Sequence, residues 1–502
     1  MSAVGSILTN QGALDALNSI SNTSTTNNNL EQELSSGLAI NSPQDNPAGY
    51  ITAQGFTSQE NGLVQATSNA NESNSLLSVA DGAIQQQISV SQSLNSIAVQ
   101  AANGTNDPSE SESLQNVVTQ LASQITTIST QTQFNNINLL NGSFSGTQFQ
   151  VGANEGQTIS LSIENTSANS LGLNQSKASA GGIYTGTSTT AGGVLSSGAS
   201  AAKLTAGSVG AYSAKTVQYT GTNGVTGSVA ITQSGSAYNV ASSINKTAGT
   251  SLTASATNTS TLTATGGTNG FKFKIAGSGG TADNTTVNAS TLSAVAAQVN
   301  GDTNITGISA TYTGSSNSTT GTLTLTQANG KNIILTASGA AAASGSLAAG
   351  ATVQKTATTF GTAAGQIGLI QGTVHFQSSA AFGLNNGSAV GLTKASTLTS
   401  LADINVTTTA GANTAINVVK FALQGLNNQA GQIGAVQQRL EATINNLNTT
   451  SQNVNTALGV VADANIPQVS NSLTESQIQA QAGVAALKDS TTLQQSYLSL
   501  LG

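Results

Sequence analysis

Seven successive apolar residues recur at seven-residue spacing, Val419, Leu426, Ile433, Leu440, Leu447, Val454 and Val461. A helix that keeps this repeat for so long carries one unbroken apolar stripe, so the pattern predicts a long coiled-coil helix over 416–461. The companion positions of the heptad, Ile416, Leu423, Ala430, Gln437, Ile444, Ser451 and Leu458, are smaller and more polar. They loosen the seam and suit packing against several partners. Asn465-Ile466-Pro467 then interrupts the helix, because proline disfavours α geometry in the residue before it. A second amphipathic stretch runs from Val469 through Leu473, Ile478, Val484 and Leu487 to Leu501.

The other end of the chain has the same character. Ile7, Leu14, Leu17 and Ile20 mark a first helix, and Leu77, Ala80, Ile84, Leu94 and Ala98 a second. Leu114, Val118, Leu121, Ile125 and Ile128, spaced alternately by four and three, mark a third seam. Between the first two helices lies LSSGLAINSPQDNPAG, residues 34–49, whose Gly37, Pro43, Pro47 and Gly49 predict a structured connector rather than helix. After the third, Phe149 and Val151, then GANEG, then Ile159, Leu161 and Ile163 read as a β hairpin.

Helical periodicity fails from about Leu171 to about Thr397, where Gly, Thr, Ser and Ala dominate. Alternating pieces such as Phe271-Lys272-Phe273-Lys274-Ile275 are each associated with one short amphipathic segment, at Tyr238–Asn245 and again at Thr291–Asn300. A repeated order of strands and helix predicts one or two small β-rich α+β domains. The expected fold is therefore multidomain α+β. Long coiled-coil ends and a hairpin pack together as a rod and bracket outer domains at about 171–265 and 266–397.

Composition removes most chemistry. Charged residues are 6% and hydrophobic residues 37% of 502, there is no cysteine or tryptophan, and His375 is the single histidine. Cys/His zinc sites, cysteine catalysis and HExxH metallopeptidases are excluded, no cofactor is expected, and His375 reads as a structural residue. No lysine or arginine precedes Lys177, which deprives nucleic-acid binding of its electrostatic term. The first twenty residues lack a basic region followed by an apolar run, so they do not read as a cleaved secretory signal. No run of about eighteen apolar residues predicts membrane insertion. Helix stripes at both ends, with few charges to limit association, instead suggest packing against copies of the same chain into open helical filaments.

The stretches LSSGLAINSPQDNPAG, GLVQATSNANES (62–73), TQFNNINLLNG (132–142), FQVGANEGQTI (149–159), GAVQQRLEATINNL (434–447) and the closing YLSLL resemble bacterial flagellin. Together they place the likeness over roughly 1–170 and 398–502. The resemblance implies a subunit that self-polymerises into the extracellular flagellar filament for swimming. By the family's plan, helices 1–35 and 466–502 line the filament core, 36–170 with 398–465 form the wall, and 171–397 projects outward. It also implies export through the hollow flagellum with a chaperone, and contact with the filament cap and hook-associated proteins. The connector residues Leu34, Ser35, Ser36, Gly37, Asn41, Asp45, Pro47 and Gly49 match the family's motif there. Bases common in the family after LSSGL and before Asp45 are replaced by Ala39 and Gln44. The stretch matching the segment that an innate Toll-like receptor contacts holds Gln92, Ser93, Leu94, Asn95, Ser96 and Gln100, without its usual arginines and glutamate. A hook-filament junction protein and a surface adhesin are the alternative readings.

Overall fold

The computed structural model describes residues 10–176, 194–195, 215–221, 226–231, 236–247, 252–265, 270–277, 284–315, 318–337, 346–349, 359–360, 367–370, 372–385 and 395–501. The chain begins with α1 (Gln11–Ser36), α2 (Pro47–Ala101) and α3 (Pro108–Gln131), then hairpins β1 (Gln133–Phe134)/β2 (Ile137–Asn138) and β3 (Thr147–Gln150)/β4 (Thr158–Leu161). Strands β5 (Gly172–Ser176), β6 (Val194–Leu195), β7 (Lys215–Gly221) and β8 (Thr226–Ile231) precede α4 (Ala237–Thr247). Then come β9 (Thr253–Thr265), β10 (Phe271–Ala276), β11 (Asn284–Ala289), α5 (Leu292–Gly301) and α6 (Thr303–Thr306). Strands β12 (Ile308–Thr313), β13 (Gly321–Gln327), β14 (Ile333–Ala337), β15 (Ser346–Ala349), β16 (Thr359–Phe360) and β17 (Ile367–Ile370) follow. Last are β18 (Thr373–Ser378), β19 (Phe382–Asn385), β20 (Thr397–Ser400), α7 (Thr409–Ala462) and α8 (Ile466–Leu501).

Helix ends follow local chemistry. Asn10 caps α1 by accepting from the Ala13 amide at 3.0 Å, and Gly37, at φ 74°, ends it with its amide on the Glu33 carbonyl at 2.8 Å. A side chain at 37 would be strained in that left-handed geometry. Asp107 caps α3, and prolines 47 and 108 occupy the first positions of α2 and α3, where a missing N–H leaves no bond unmade. The connector is therefore shorter than the sequence pattern predicted. Leu34, Ser35 and Ser36 are helical in α1, Pro47 and Gly49 are helical in α2, and the loop is 37–46. Proline here starts a helix instead of preventing one. The second helix accordingly begins thirty residues before Leu77, and Leu77, Ala80, Ile84, Leu94 and Ala98 are all fully buried along it.

Two compact units divide the chain: residues 1–79, 145–162 and 432–502, and residues 80–144 with 163–431. The division falls within α2 and α7 rather than at 35/36 and 465/466. In the first unit α1 lies along α8, with the Asn10 amide donating to the Ser490 carbonyl at 3.2 Å and to Gln494 Oε1 at 2.9 Å. Gly483 meets Ile20 there; a Cβ would come within 2.9 Å of that side chain. Within this unit, α2 and α7 bury Leu63, Ala66, Leu447 and Val454 together, beside Phe56 and Ala153. Gly62 lets the β3–β4 hairpin close on α2, since a Cβ would stand 2.8 Å from that of Ala153.

The second unit holds the rest of α2 and α7, α3 and the β-rich insertion. Gln87, fully buried, donates to the carbonyls of Ile125 at 3.1 Å and Thr166 at 3.2 Å, tying α2 to α3 and to the loop after β4. Gln87→Ala leaves both carbonyls without that donor and is expected to cost about 1–3 kcal/mol, read as a lower unfolding midpoint in denaturant. Strands β5 and β20 pair antiparallel, Gly172 with Ser400, and close the base of the insertion.

Two apolar cores follow inside the insertion. One gathers Tyr219, Val240, Ile244, Val374, Phe376 and Leu384 under α4. The other gathers Phe271, Phe273, Ile275, Val295, Val299, Leu323 and Leu325 under α5. Each short helix ends in an asparagine that clamps a following strand: Asn245 bonds the Ala254 amide and carbonyl at 2.7 and 2.8 Å, and Asn300 does the same to Ala310. This is the internal repeat. The expected boundary at 265/266 is corrected, because β9 serves both cores: Thr253–Thr257 pair with β18, and Asn258–Ala264 with β13. Strands β18 and β19 return to the first core, so the second module is an excursion out of the first.

Candidate assembly surface

Helix α1 is rich in Asn, Ser and Thr, which favour caps and turns over helix interiors, and it contains no buried residue. A lone helix of such composition is marginal in water, so α1 depends on what packs against it. Its contact with α8 does not cover the apolar stripe of either helix. Leu14 and Leu17 remain 45% and 54% exposed, and Ile478, Val484 and Leu493 57–60% exposed. Apolar side chains of both helices are thus open to solvent. Val460, 83% exposed near the end of α7, adds to them beyond the stripes that the heptad pattern picked out.

The heptad residues lie elsewhere. Val419, Leu426, Ile433, Leu440, Leu447 and Val454 are buried and Val461 is half-buried, so this seam is closed inside the chain and is not open to a neighbour. On α3 the expected seam is rotated. Val118 and Ile125 are buried, but Leu114, Leu121 and Ile128 are half-buried, and the covered face runs through Ser111, Val118, Ala122, Ile125 and Ser129. The physical reason is polar: the Ser129 hydroxyl donates to the Leu140 carbonyl at 2.7 Å, a use of a buried serine that hydrophobic spacing cannot reveal.

The connector meets the break between α7 and α8. The Ala39 amide donates to the Ala462 carbonyl at 2.7 Å, the Ala464 amide to the Gly37 carbonyl at 2.9 Å, and Leu38 forms a bridge with Asp463. Asp45 accepts from the amides of Asn41 at 2.9 Å and Ser42 at 2.8 Å, and Asn41 Nδ2 reaches the Leu38 carbonyl. The Ser42 and then the Asn41 amide hold the Asp45 carboxyl below its usual range. A depressed carboxylate contributes order that is complete above its unfolded value and lost as pH falls through the lower folded one. Asp45→Ala is expected to raise hydrogen exchange at Asn41 and Ser42 at neutral pH, and the wild type to approach the variant as pH falls below the ordinary carboxylate range.

Along the receptor-matching stretch, Gln92, Ser93, Ser96 and Gln100 are exposed and Asn95 is half-exposed, whereas Leu94 is fully buried and faces the core. Leu94 is thus removed from any surface epitope. His375 lies on β18 with Nε2 3.2 Å from the Thr373 hydroxyl, and burial pushes its pKa down. No group of three metal-ligating side chains occurs among the described residues. Among them, no helix is long and apolar enough to cross a membrane.

The family model for the bacterial flagellin N-terminal helical region matches residues 7–145, and that for the C-terminal helical region residues 416–501. The B-type flagellin of Pseudomonas aeruginosa is 31% identical over 506 residues, covering 98% of this chain and 99% of that protein. The flagellin of Xenorhabdus nematophila is 38% identical over 169 residues, 34% of this chain and 54% of its own. Among solved structures, FliC from Burkholderia pseudomallei aligns with 73% of this chain and 99% of its own at 19% identity and a TM-score of 0.29. With both helical ends matched, and a relative aligned from end to end, the chain belongs to the bacterial flagellins, the structural subunits of the extracellular flagellar filament.

Proposed function

We propose that this subunit polymerises through α1 and α8. The carrying observation is the apolar stripe that both helices leave exposed although they pair with each other. Residues 1–35 and 466–502 then line the filament core, 36–170 with 398–465 form the wall, and 171–397 faces the medium. The buried heptad seam of α7 and the connector joint keep the wall rigid, and α1, α8 and Val460 meet neighbouring copies. Contacts with an export chaperone, the filament cap and hook-associated proteins use the same terminal helices before and after assembly, and export runs through the hollow filament. Negative-stain microscopy of the purified chain after a salting-out trigger tests the reading: helical filaments are expected, and amorphous precipitate alone contradicts it.

The same placement bears on innate recognition. Ser93 and Ser96 are exposed and Asn95 is half-exposed, and none of the three can supply the charge-assisted hydrogen bonds of an arginine or a glutamate. Monomer is expected to activate a Toll-like flagellin receptor reporter weakly. Potent activation would show that the match over 92–100 is misplaced.

A further inference from the structure

The unit built from α1, α8, the β3–β4 hairpin and the adjoining parts of α2 and α7 has an unusual charge balance. It holds eleven carboxylates: Asp15, Glu31 and Glu33 on α1, Asp45 in the connector, Glu60 and Glu72 on α2, Glu155 in the hairpin, Glu441 on α7, Asp463 at the helix break, and Glu475 and Asp489 on α8. The same unit holds two bases, Arg439 on α7 and Lys488 on α8, and the tyrosines Tyr50 and Tyr497. The unit therefore carries −9 (two bases against eleven acids), while the other unit, with ten bases and eight acids, carries +2. No lysine or arginine holds any of the eleven in an ion pair among the described residues.

The partners these acids do have are neutral. Glu60 Oε1 accepts from the Ser451 hydroxyl at 2.7 Å, Asp15 from the Gln11 amide at 3.1 Å and Glu475 from the Gln479 amide at 3.4 Å. A carboxyl bonded to a hydroxyl or an amide can keep accepting after it is protonated and gains a donor, whereas an ion pair is lost. Asp45 alone is held by two backbone amides.

We infer that the assembled filament is built for an acidic medium: among the described residues this unit has no side-chain ion pair to lose, and protonation removes a like-signed charge that opposes packing. This rests on the reading that the terminal helices polymerise. Packing many copies brings like charges closer than in the monomer, so the polymer binds protons more readily and assembly strengthens as pH falls. Unlike-charge contacts would give the opposite sign.

Sedimentation of reassembled full-length filaments from pH ~7 to ~2, across the free carboxylate range near 4, tests this at low and at high sodium chloride. The pelleted fraction is expected to hold or rise throughout. At pH ~7 salt is expected to lower the critical concentration several-fold by screening repulsion, and at pH ~3 to change it little. Dissociation near pH ~4, or salt-induced dissociation at pH ~7, overturns the inference and leaves polymerisation standing. If no filament forms at any pH, the polymer reading itself fails.

Discussion

A chain lacking residues 1–30 and 470–502 is expected to be a soluble, folded monomer that does not polymerise under any salting-out condition. The deletion removes most of α1 and α8, which bury little within the chain: α1 has no buried residue, and among the described residues of α8 only Val469 and Ser476 are buried. It leaves the cluster of Leu63, Ala66, Leu447 and Val454 and both cores of the insertion untouched. Far-UV circular dichroism should lose helix in proportion to the residues removed, with the unfolding transition of the remainder preserved. Normal filaments from this shortened chain would mean that the terminal stripes are not the assembly surface.

Leu447→Asp is the substitution expected to do most damage. Leu447 is buried between α2 and α7 in the cluster with Leu63, Ala66 and Val454. The change removes a packed leucine and puts an unpaired carboxylate in its place, an expected loss of roughly 3–5 kcal/mol. The position acts inside the subunit, so the monomer should already show a lower unfolding midpoint, and filaments should be absent because the wall cannot form. Leu447→Met keeps the volume and should cost less than about 1.5 kcal/mol, with assembly retained. Normal stability of Leu447→Asp would mean that the α7 register is wrong.

The helical ends were legible because their stripes are long: a seven-residue repeat from Val419 to Val461 leaves few ways to fold. What the stripe could not say is who covers it. The α7 residues are apolar at the same spacing whether the partner is α2 of the same chain or a second copy. Only the exposures separate Leu447, which is closed within the subunit, from Leu17 and Ile478, which are open. Helix boundaries near prolines misled for a related reason, since Pro47 suits a helix's first position as well as a turn. Polar residues with structural tasks, Gln87, Ser129 and the paired Asn245 and Asn300, were invisible to hydrophobic patterning, as their roles appear only once distant carbonyls and amides are brought to them. The insertion's repeat was readable in order, but not the sharing of β9 between two cores, because pairing partners as distant as Thr257 and Thr373 leave no local signal.

Hydrogen exchange measured on the same protein as monomer and as filament bears most directly on the claim that neighbouring copies cover α1 and α8. In the monomer, amides of Gln11–Ser36 and Ile466–Leu501 should exchange quickly, since these helices have few buried contacts to hold them closed. In the filament the same amides should become strongly protected, while those around Leu77, Ile84 and Leu440 should be protected in both states. Equal protection of α1 and α8 in monomer and filament would contradict the account.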